Sequence, residues 1–183
     1  PDGDDTIIDA GAFVGAYTLY VAKRASIVIA LEPSPLRILL EHNVRLNKLD
    51  NVIVLPYALL DVNDFIEFYF DPRGPTGSSI FKEDRVDRML IKVPTITLDD
   101  LANKFNVRWI DILKMDIEGS ECRALRGAQR LLSERRVDRI VMEIHKWLCG
   151  EKELVSLLTT FKYKVIYRLD LGKTSILYAK SSY

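Results

Sequence analysis

The sequence has little of what marks a secreted, membrane-spanning or nucleic-acid-binding chain. Its two cysteines, Cys122 and Cys149, have no CxxC spacing and no partnering histidines, which speaks against a zinc site or a disulfide framework and for a reducing compartment. Both are expected to be ordinary packing residues. No apolar stretch approaches the length of a membrane span. Pro1 to Asp5 is acidic where a signal peptide would begin basic. A soluble, cytoplasmic protein with no membrane partner is therefore expected, and the opening on Pro1 leaves room for a segment upstream. Net charge is missing too: 26 basic residues balance 26 acidic ones, so no overall basic field recruits a phosphate backbone. Gln129 is the only glutamine while 28% of residues are charged, a bias that fits a heat-adapted source.

What is present is apolar and periodic. With 183 residues and 48% apolar content, the chain can bury one full core but not two, so residues 1–183 are expected to form one domain. Strand-length apolar runs alternate with helical segments, the pattern of parallel strands joined by crossover helices. Thr6 to Ala10 reads as a strand, Gly11 to Gly15 as a turn, and Tyr17 to Arg24 as a helix. Ser26 to Leu31 is a second strand. Ser34 and Pro35 then supply an N-cap and a first-turn proline for a helix that buries Leu36, Leu39, Leu40 and Val44. Val52 to Pro56 is the third strand.

Residues 61–97 change period and read as an inserted hairpin, with strands Phe65 to Phe70 and Met89 to Ile96 and a Gly74 to Ser79 loop able to serve as a substrate lid. Thr97 with Asp100 caps a short helix to about Phe105. Trp109 to Ile117 is the next strand, and one helix is expected from Gly119 through Leu132, with Leu125, Ala128 and Leu132 on its buried face. Arg139 to Ile144, a helix with Leu154, Leu157, Leu158 and Phe161, and the strands Tyr163 to Tyr167 and Ser175 to Ala179 complete the chain. The expected fold is α/β: a doubly wound, mostly parallel seven-stranded sheet with helices on both faces.

In such a sheet the ligand crevice lies beyond the carboxyl ends of the strands, so polar residues at those ends carry the function. Gly11 and Gly15 let the backbone pass close to a ligand, and Glu32, at the tip of the second strand, can accept hydrogen bonds from both hydroxyls of a ribose. A dinucleotide fingerprint needs a third glycine so that a pyrophosphate rests on the helix N-terminus. Gly11-Ala12-Phe13-Val14-Gly15 has none and places a bulky residue in the loop. A phosphate-free nucleoside fits better, and Asp9 suits an ammonium group or a water bound to one. Tyr57 and Ala58, after the third strand, are placed to flank an adenine, with Asp61 further along. Asp116 and Glu118 can orient a hydroxyl or act as base, and the carboxylates are equally suited to the N-terminus of the following helix. His145, at a strand end beside Glu143, is a candidate general base if its pKa is ordinary. His42 is expected to be a surface or packing residue. Lys114, on a buried strand, needs a carboxylate such as Asp111, Asp116 or Glu143. No HExxH or clustered carboxylate motif calls for a metal.

These blocks, taken in order, resemble a known family. Ile8-Asp9-Ala10-Gly11-Ala12-Phe13-Val14-Gly15-Ala16-Tyr17-Thr18 is similar to the first motif of the FkbM-like methyltransferases, and Leu31-Glu32-Pro33-Ser34-Pro35 to their second. Gly77-Ser78-Ser79, Val93-Pro94-Thr95-Ile96-Thr97-Leu98-Asp99-Asp100, Leu113-Lys114-Met115-Asp116-Ile117-Glu118-Gly119 and Glu143-Ile144-His145 resemble the later blocks. Phe13 departs from the small polar residue usual in the family. The resemblance implies a Rossmann-like methyltransferase fold, S-adenosylmethionine as cofactor, and a hydroxyl on a small molecule such as a sugar or natural-product scaffold as acceptor. It places Asp9, Gly11, Ala12, Phe13, Gly15, Glu32, Pro33, Tyr57, Ala58 and Asp116 around the cofactor, and Asp116, Glu118 and His145 in the chemistry. Methyl transfer is an in-line displacement that asks mainly for alignment and removal of one proton. Three alternatives stay open: an RNA or protein methyltransferase on the same fold, a nicotinamide-dependent oxidoreductase, and a non-catalytic nucleoside-binding module. Against the first, the Asp116 block lacks the Asn/Asp-Pro-Pro-aromatic signature of base amino-group methylation.

Overall fold

A computed structural model describes residues 3–73, 78–81 and 88–182. Seven strands form the main sheet: β1 (Thr6–Ala10), β2 (Ile27–Leu31), β3 (Val52–Leu55), β7 (Ile110–Met115), β8 (Val137–His145), β9 (Tyr163–Asp170) and β10 (Thr174–Ser181). Their order is β3-β2-β1-β7-β8-β10-β9, with β3 through β8 parallel and β10 antiparallel to both neighbours. The expected doubly wound α/β sheet is thus present. Its central strands are almost continuously apolar because both faces are covered; Ile7, Ile8, Ile29, Ile110 and Leu113 are fully buried. The chain winds outward from β1 to β3 and then returns to the other side of β1 as β7. The crevice at that reversal is where this architecture binds ligands.

The helices are α1 (Ala16–Ala22), α2 (Arg37–Leu46), α3 (Leu98–Lys104), α4 (Glu121–Arg126), α5 (Gln129–Ser133) and α6 (Glu151–Thr160). Three depart from the sequence reading. Ser34 caps a tight turn rather than the helix: its Oγ accepts from the Leu36 amide at 3.2 Å, and α2 starts at Arg37. Of the four residues expected on its buried face, Leu40 and Val44 are buried while Leu39 is 50% exposed. The single helix expected from Gly119 to Leu132 is broken into α4 and α5 at Gly127. There the backbone meets the Leu60 carbonyl so closely that a Cβ would lie 2.1 Å from it, which only glycine allows.

The inserted region is a three-stranded sheet, β4-β6-β5, not a lone hairpin. β5 (Phe65–Phe70) and β6 (Met89–Ile96) pair antiparallel, and β4 (Ala58–Leu59) joins β6 in parallel, so the unit starts before residue 61. Thr97 caps α3 as expected, its Oγ1 accepting from the Asp100 amide at 3.1 Å. Gly74 to Gly77, the greater part of the expected lid, lie outside the described residues.

The cysteines are not independent packing residues. Cys122 on α4 and Cys149 after β8 form a disulfide with Cα atoms 5.5 Å apart. Sequence separation of 27 hid the pairing, because only the packing of α4 beside the β8–α6 connection brings the thiols together. The free-thiol case for a reducing compartment therefore falls away. No helix among the described residues is long and apolar enough to cross a membrane.

Candidate functional site

The turn after β1 is shaped by its contact with the tip of β7. Gly11 has φ +73, and a Cβ there would lie 1.8 Å from the Asp116 carbonyl; no other residue fits. Gly11 and Ala12 donate their amides to the Leu31 carbonyl, both at 3.0 Å, which ties the loop to β2. Phe13, with φ 54, holds a left-handed conformation that a bulky residue rarely adopts. Its amide is thereby turned to Glu32 Oε2 at 2.8 Å.

Glu32 is buried at the tip of β2, with Oε1 accepting from the Ser34 amide at 2.9 Å. Burial pushes its carboxyl above the ordinary value, against the pull of the Ser34 and Phe13 hydrogen bonds. A hydroxyl donor arriving from the cleft would offset that desolvation.

Gly11, Phe13, Glu32, Pro33, Tyr57, Ala58, Asp116 and Glu118 line one cleft that opens to solvent. The remaining walls come from Ser34, Leu36, Leu59, Ile117 and Ser120, and from Phe68, Ser78 and Ile80 of the inserted region. No described lysine or arginine lines it. The inserted sheet is thus a wall of the site, a role its sequence did not reveal beyond the Gly77-Ser78-Ser79 block. The Tyr57 hydroxyl accepts from Lys104 Nζ at 2.8 Å, which fixes its ring at the cleft.

Three expected cofactor contacts do not reach the cleft. Ala12 is buried and Gly15 packs toward Leu40 as the N-cap of α1. Asp9 is fully buried and accepts from the Thr18 hydroxyl at 2.5 Å. Its other oxygen pairs with Lys114 at 3.0 Å. Parallel register sets Asp9 directly beside Lys114 on the adjacent strand, so Asp9, rather than Asp111, Asp116 or Glu143, is the lysine's carboxylate. Lys114 also donates to the Gly11 carbonyl at 2.8 Å. The pair therefore supports the glycine turn from below, and an ammonium ligand has no path to Asp9. Asp61 turns away as well, accepting from Arg123 at 2.6 Å on the exposed side of α4.

Across the cleft, Asp116 is half-buried with its carboxyl pushed up by burial, an effect opposed by Lys114 and reinforced by Glu143 and Glu118. Glu118 has φ 50 and is followed by Gly119 at φ 97, a strained turn of the kind found where side chains are held for function. His145 is buried between two carboxylates: Nε2 lies 3.2 Å from Glu118 Oε2 and Nδ1 lies 2.9 Å from Glu121 Oε1. Desolvation alone would lower its pKa, but the hydrogen bonds and charges of Glu118 and Glu121 win and push it up to about 10. The ordinary pKa expected from sequence is thus corrected. At neutrality this side chain is an imidazolium, with no lone pair to accept a proton.

Glu121 is the residue that sequence reading missed. It is fully buried and also accepts from the Gly119 amide at 3.1 Å. Its signal was the spacing Glu118-Gly119-Ser120-Glu121, which sets two acids around one helix start.

A seven-stranded sheet in this order, with β10 reversed, a glycine turn at the tip of β1 and an acid at the tip of β2, defines a Rossmann-like methyltransferase fold. Residues 9–165 match the methyltransferase FkbM domain, and the chain belongs to that family. It is 27% identical over 176 residues to Methyltransferase 1 of Beauveria bassiana, spanning 83% of this chain and 67% of that one. It is 30% identical over 161 residues to the hexuronic acid methyltransferase AglP of Haloferax volcanii, spanning 87% and 63%. The chain thus spans about two thirds of the length of these relatives. Among solved structures, an rRNA methylase from Streptococcus thermophilus superposes with a TM-score of 0.61 at 11% identity, covering 100% of this chain and 89% of that one. A putative methyltransferase from Streptococcus mutans in complex with SAH superposes at 0.59 with 11% identity, covering 99% and 90%. These two likenesses concern the fold.

Proposed function

We propose that the chain transfers a methyl group from S-adenosylmethionine to a hydroxyl of a small molecule, such as a sugar or natural-product scaffold. The observation that carries this reading is the buried Glu32 carboxylate, held by the Phe13 and Ser34 amides and lining the cleft opposite Asp116 and Glu118. A ribose whose hydroxyls donate to Glu32 extends its adenine toward Tyr57 and Ala58 and its sulfonium toward Asp116. The glycine turn lacks the third glycine that a pyrophosphate requires, which disfavours a nicotinamide cofactor. The FkbM-domain family and the sugar-acid acceptor in the name of one relative support a hydroxyl-bearing small molecule.

In the step itself the acceptor oxygen forms a bond to the methyl carbon while the carbon–sulfur bond breaks, leaving S-adenosylhomocysteine as a neutral thioether. The hydroxyl proton passes to Asp116 or Glu118, since the imidazolium of His145 cannot take it. The raised pKa of Asp116 brings it nearer the operating pH than an ordinary carboxylate. A neutral net charge and a cleft without a described basic residue disfavour nucleic acid as acceptor. A cytoplasmic setting stays part of this reading through a heat-adapted source, where intracellular disulfides persist.

Calorimetric titration tests the reading. S-adenosylhomocysteine is expected to bind and NAD not to. Glu32→Ala should weaken that binding about 10-fold to 100-fold, the worth of hydrogen bonds to a charged group of about 1.5–3 kcal/mol, with the thermal melt retained. Binding of NAD alone, or full affinity in the variant, would overturn it.

A further inference from the structure

The acceptor side of the cleft holds more negative charge than its cations balance. Glu118 and Glu143 repel the Asp116 carboxylate, and Glu118 and Glu121 flank His145. Lys114 is committed to Asp9 and to the Gly11 carbonyl. One Glu121 oxygen, Oε2, is buried with no hydrogen-bond partner among the described residues, so the carboxylate behind the imidazole is only partly satisfied.

Three of these groups converge. Asp116, Glu118 and His145 each bring one ligating atom to within 4.8 Å of the others. His145 Nε2 and Glu118 Oε2 are 3.2 Å apart. Two neighbouring ligands of an octahedral ion with bonds near 2.1 Å sit roughly 3 Å from one another, so little movement separates the ion pair from joint coordination. The other imidazole nitrogen, Nδ1, is held at 2.9 Å by Glu121, which is fully buried and itself tied to the Gly119 amide. A carboxylate on the far nitrogen is the arrangement that orients a metal-ligating histidine.

We propose that Asp116, Glu118 and His145 Nε2 bind a divalent cation that displaces the Nε2 proton of the imidazolium to solvent, with Glu121 as the positioning residue behind the imidazole, accepting from Nδ1. Two carboxylates and one imidazole match Mn²⁺ or Mg²⁺ better than a thiolate-seeking ion. Three ligands from the chain leave further positions of an octahedral ion open to water or substrate oxygen. Resting on the methyl-transfer reading above, an acceptor hydroxyl against such a cation becomes more acidic and is fixed in place, which is what attack on a methyl carbon requires. The site would also balance the acidic wall that Asp116 and Glu118 otherwise form.

Manganese itself is the probe. Chelator-treated protein is titrated with Mn²⁺ in the absence of any methyl donor, the free ion being followed by its electron paramagnetic resonance signal. One ion per chain is expected. Asp116→Asn and Glu118→Gln should each weaken binding at least about tenfold, and Glu121→Gln about 10-fold to 100-fold through loss of the orienting carboxylate. Asp61→Asn, an exposed acid outside the cleft, should leave it unchanged. Should Asp116→Asn fail to fold by circular dichroism, Glu118→Gln, whose side chain is 30% exposed, carries the test. No bound Mn²⁺ at millimolar concentration, or binding indifferent to both substitutions, would sink the site. Donor is absent throughout, so that outcome leaves the methyl-transfer reading standing, whereas Mn²⁺ binding without S-adenosylhomocysteine binding would remove that reading alone.

Discussion

The two sides of the cleft are built by different means. The β1–β2 side is made of backbone: Gly11 at a positive φ against the Asp116 carbonyl, amides of Gly11 and Ala12 on Leu31, and the Phe13 and Ser34 amides on Glu32. The β7–β8 side is made of side-chain charge, with His145 clasped between Glu118 and Glu121 and Asp116 nearby. A backbone scaffold needs only a residue that can adopt the right conformation at each position. A buried ionic cluster depends on every member being present, because removing one leaves its partner desolvated and alone. The acceptor side should accordingly be the more fragile half.

The largest expected effect follows from that contrast. Glu121→Ala strips a fully buried carboxylate from His145 and from the Gly119 amide, and should lower unfolding free energy in urea by about 3–5 kcal/mol at neutral pH. The same cluster sets a pH dependence in chelator-treated protein. The pKa of His145 in the folded chain, about 10, lies above its ordinary 6.5. Its favourable contribution is therefore complete below about pH 6.5 and is lost as pH rises toward about 10. The parent protein should lose stability across that window, as the unfolded chain releases the histidine proton that the folded chain still holds between Glu118 and Glu121. Glu121→Ala should flatten the slope; a variant that keeps the parent slope would show that the clasp is not what raises this pKa.

A smaller effect sharpens the backbone half. Gly11→Ala combines left-handed strain with a Cβ 1.8 Å from the Asp116 carbonyl and should cost about 2–4 kcal/mol. Gly172→Ala shares the left-handed conformation, at φ +83, but meets nothing within 4 Å, so it should cost only about 1–2 kcal/mol. The difference between the two melts isolates the close approach. Equal losses would mean that the loop shifts away from β7 without penalty.

This contrast also marks what could be read from sequence. The alternation of strands and helices, the glycine turn, Glu32 at the β2 tip and the Thr97 cap are all legible, because each follows from local pattern or from a rule about strand ends. Asp9 was placed at the ligand, whereas parallel register pairs it with Lys114; periodicity along one strand says nothing about which residue lies across from it. The raised pKa of His145 is not legible, since its flanking carboxylates come from a loop and a helix more than twenty residues away in sequence. The disulfide escaped for the same reason. Its two cysteines sit next to the cluster: Cys122 follows Glu121, and the Cys149 amide donates to the His145 carbonyl at 2.9 Å. The break at Gly127 needed the position of Leu60, a contact that a helical pattern does not contain.

Asp61 supplies the smallest effect and the control for both halves. It lies after the β4 strand, close in sequence to Tyr57 and Ala58, yet its carboxylate faces Arg123 and Arg126 on α4 instead of the cleft. The Arg123 hydrogen bond holds its pKa below the ordinary value, against a smaller desolvation effect. The pair is solvent-accessible, with side chains 33% and 30% exposed, so screening leaves it worth less than about 1 kcal/mol. Asp61→Asn should therefore move the urea midpoint only slightly, and less still at high salt, with S-adenosylhomocysteine affinity equal to that of the parent. A clear loss of affinity would mean that α4 transmits the state of its exposed face to Glu118 and Glu121, and the cleft's two halves would then be coupled through a helix that the present geometry treats as a passive wall.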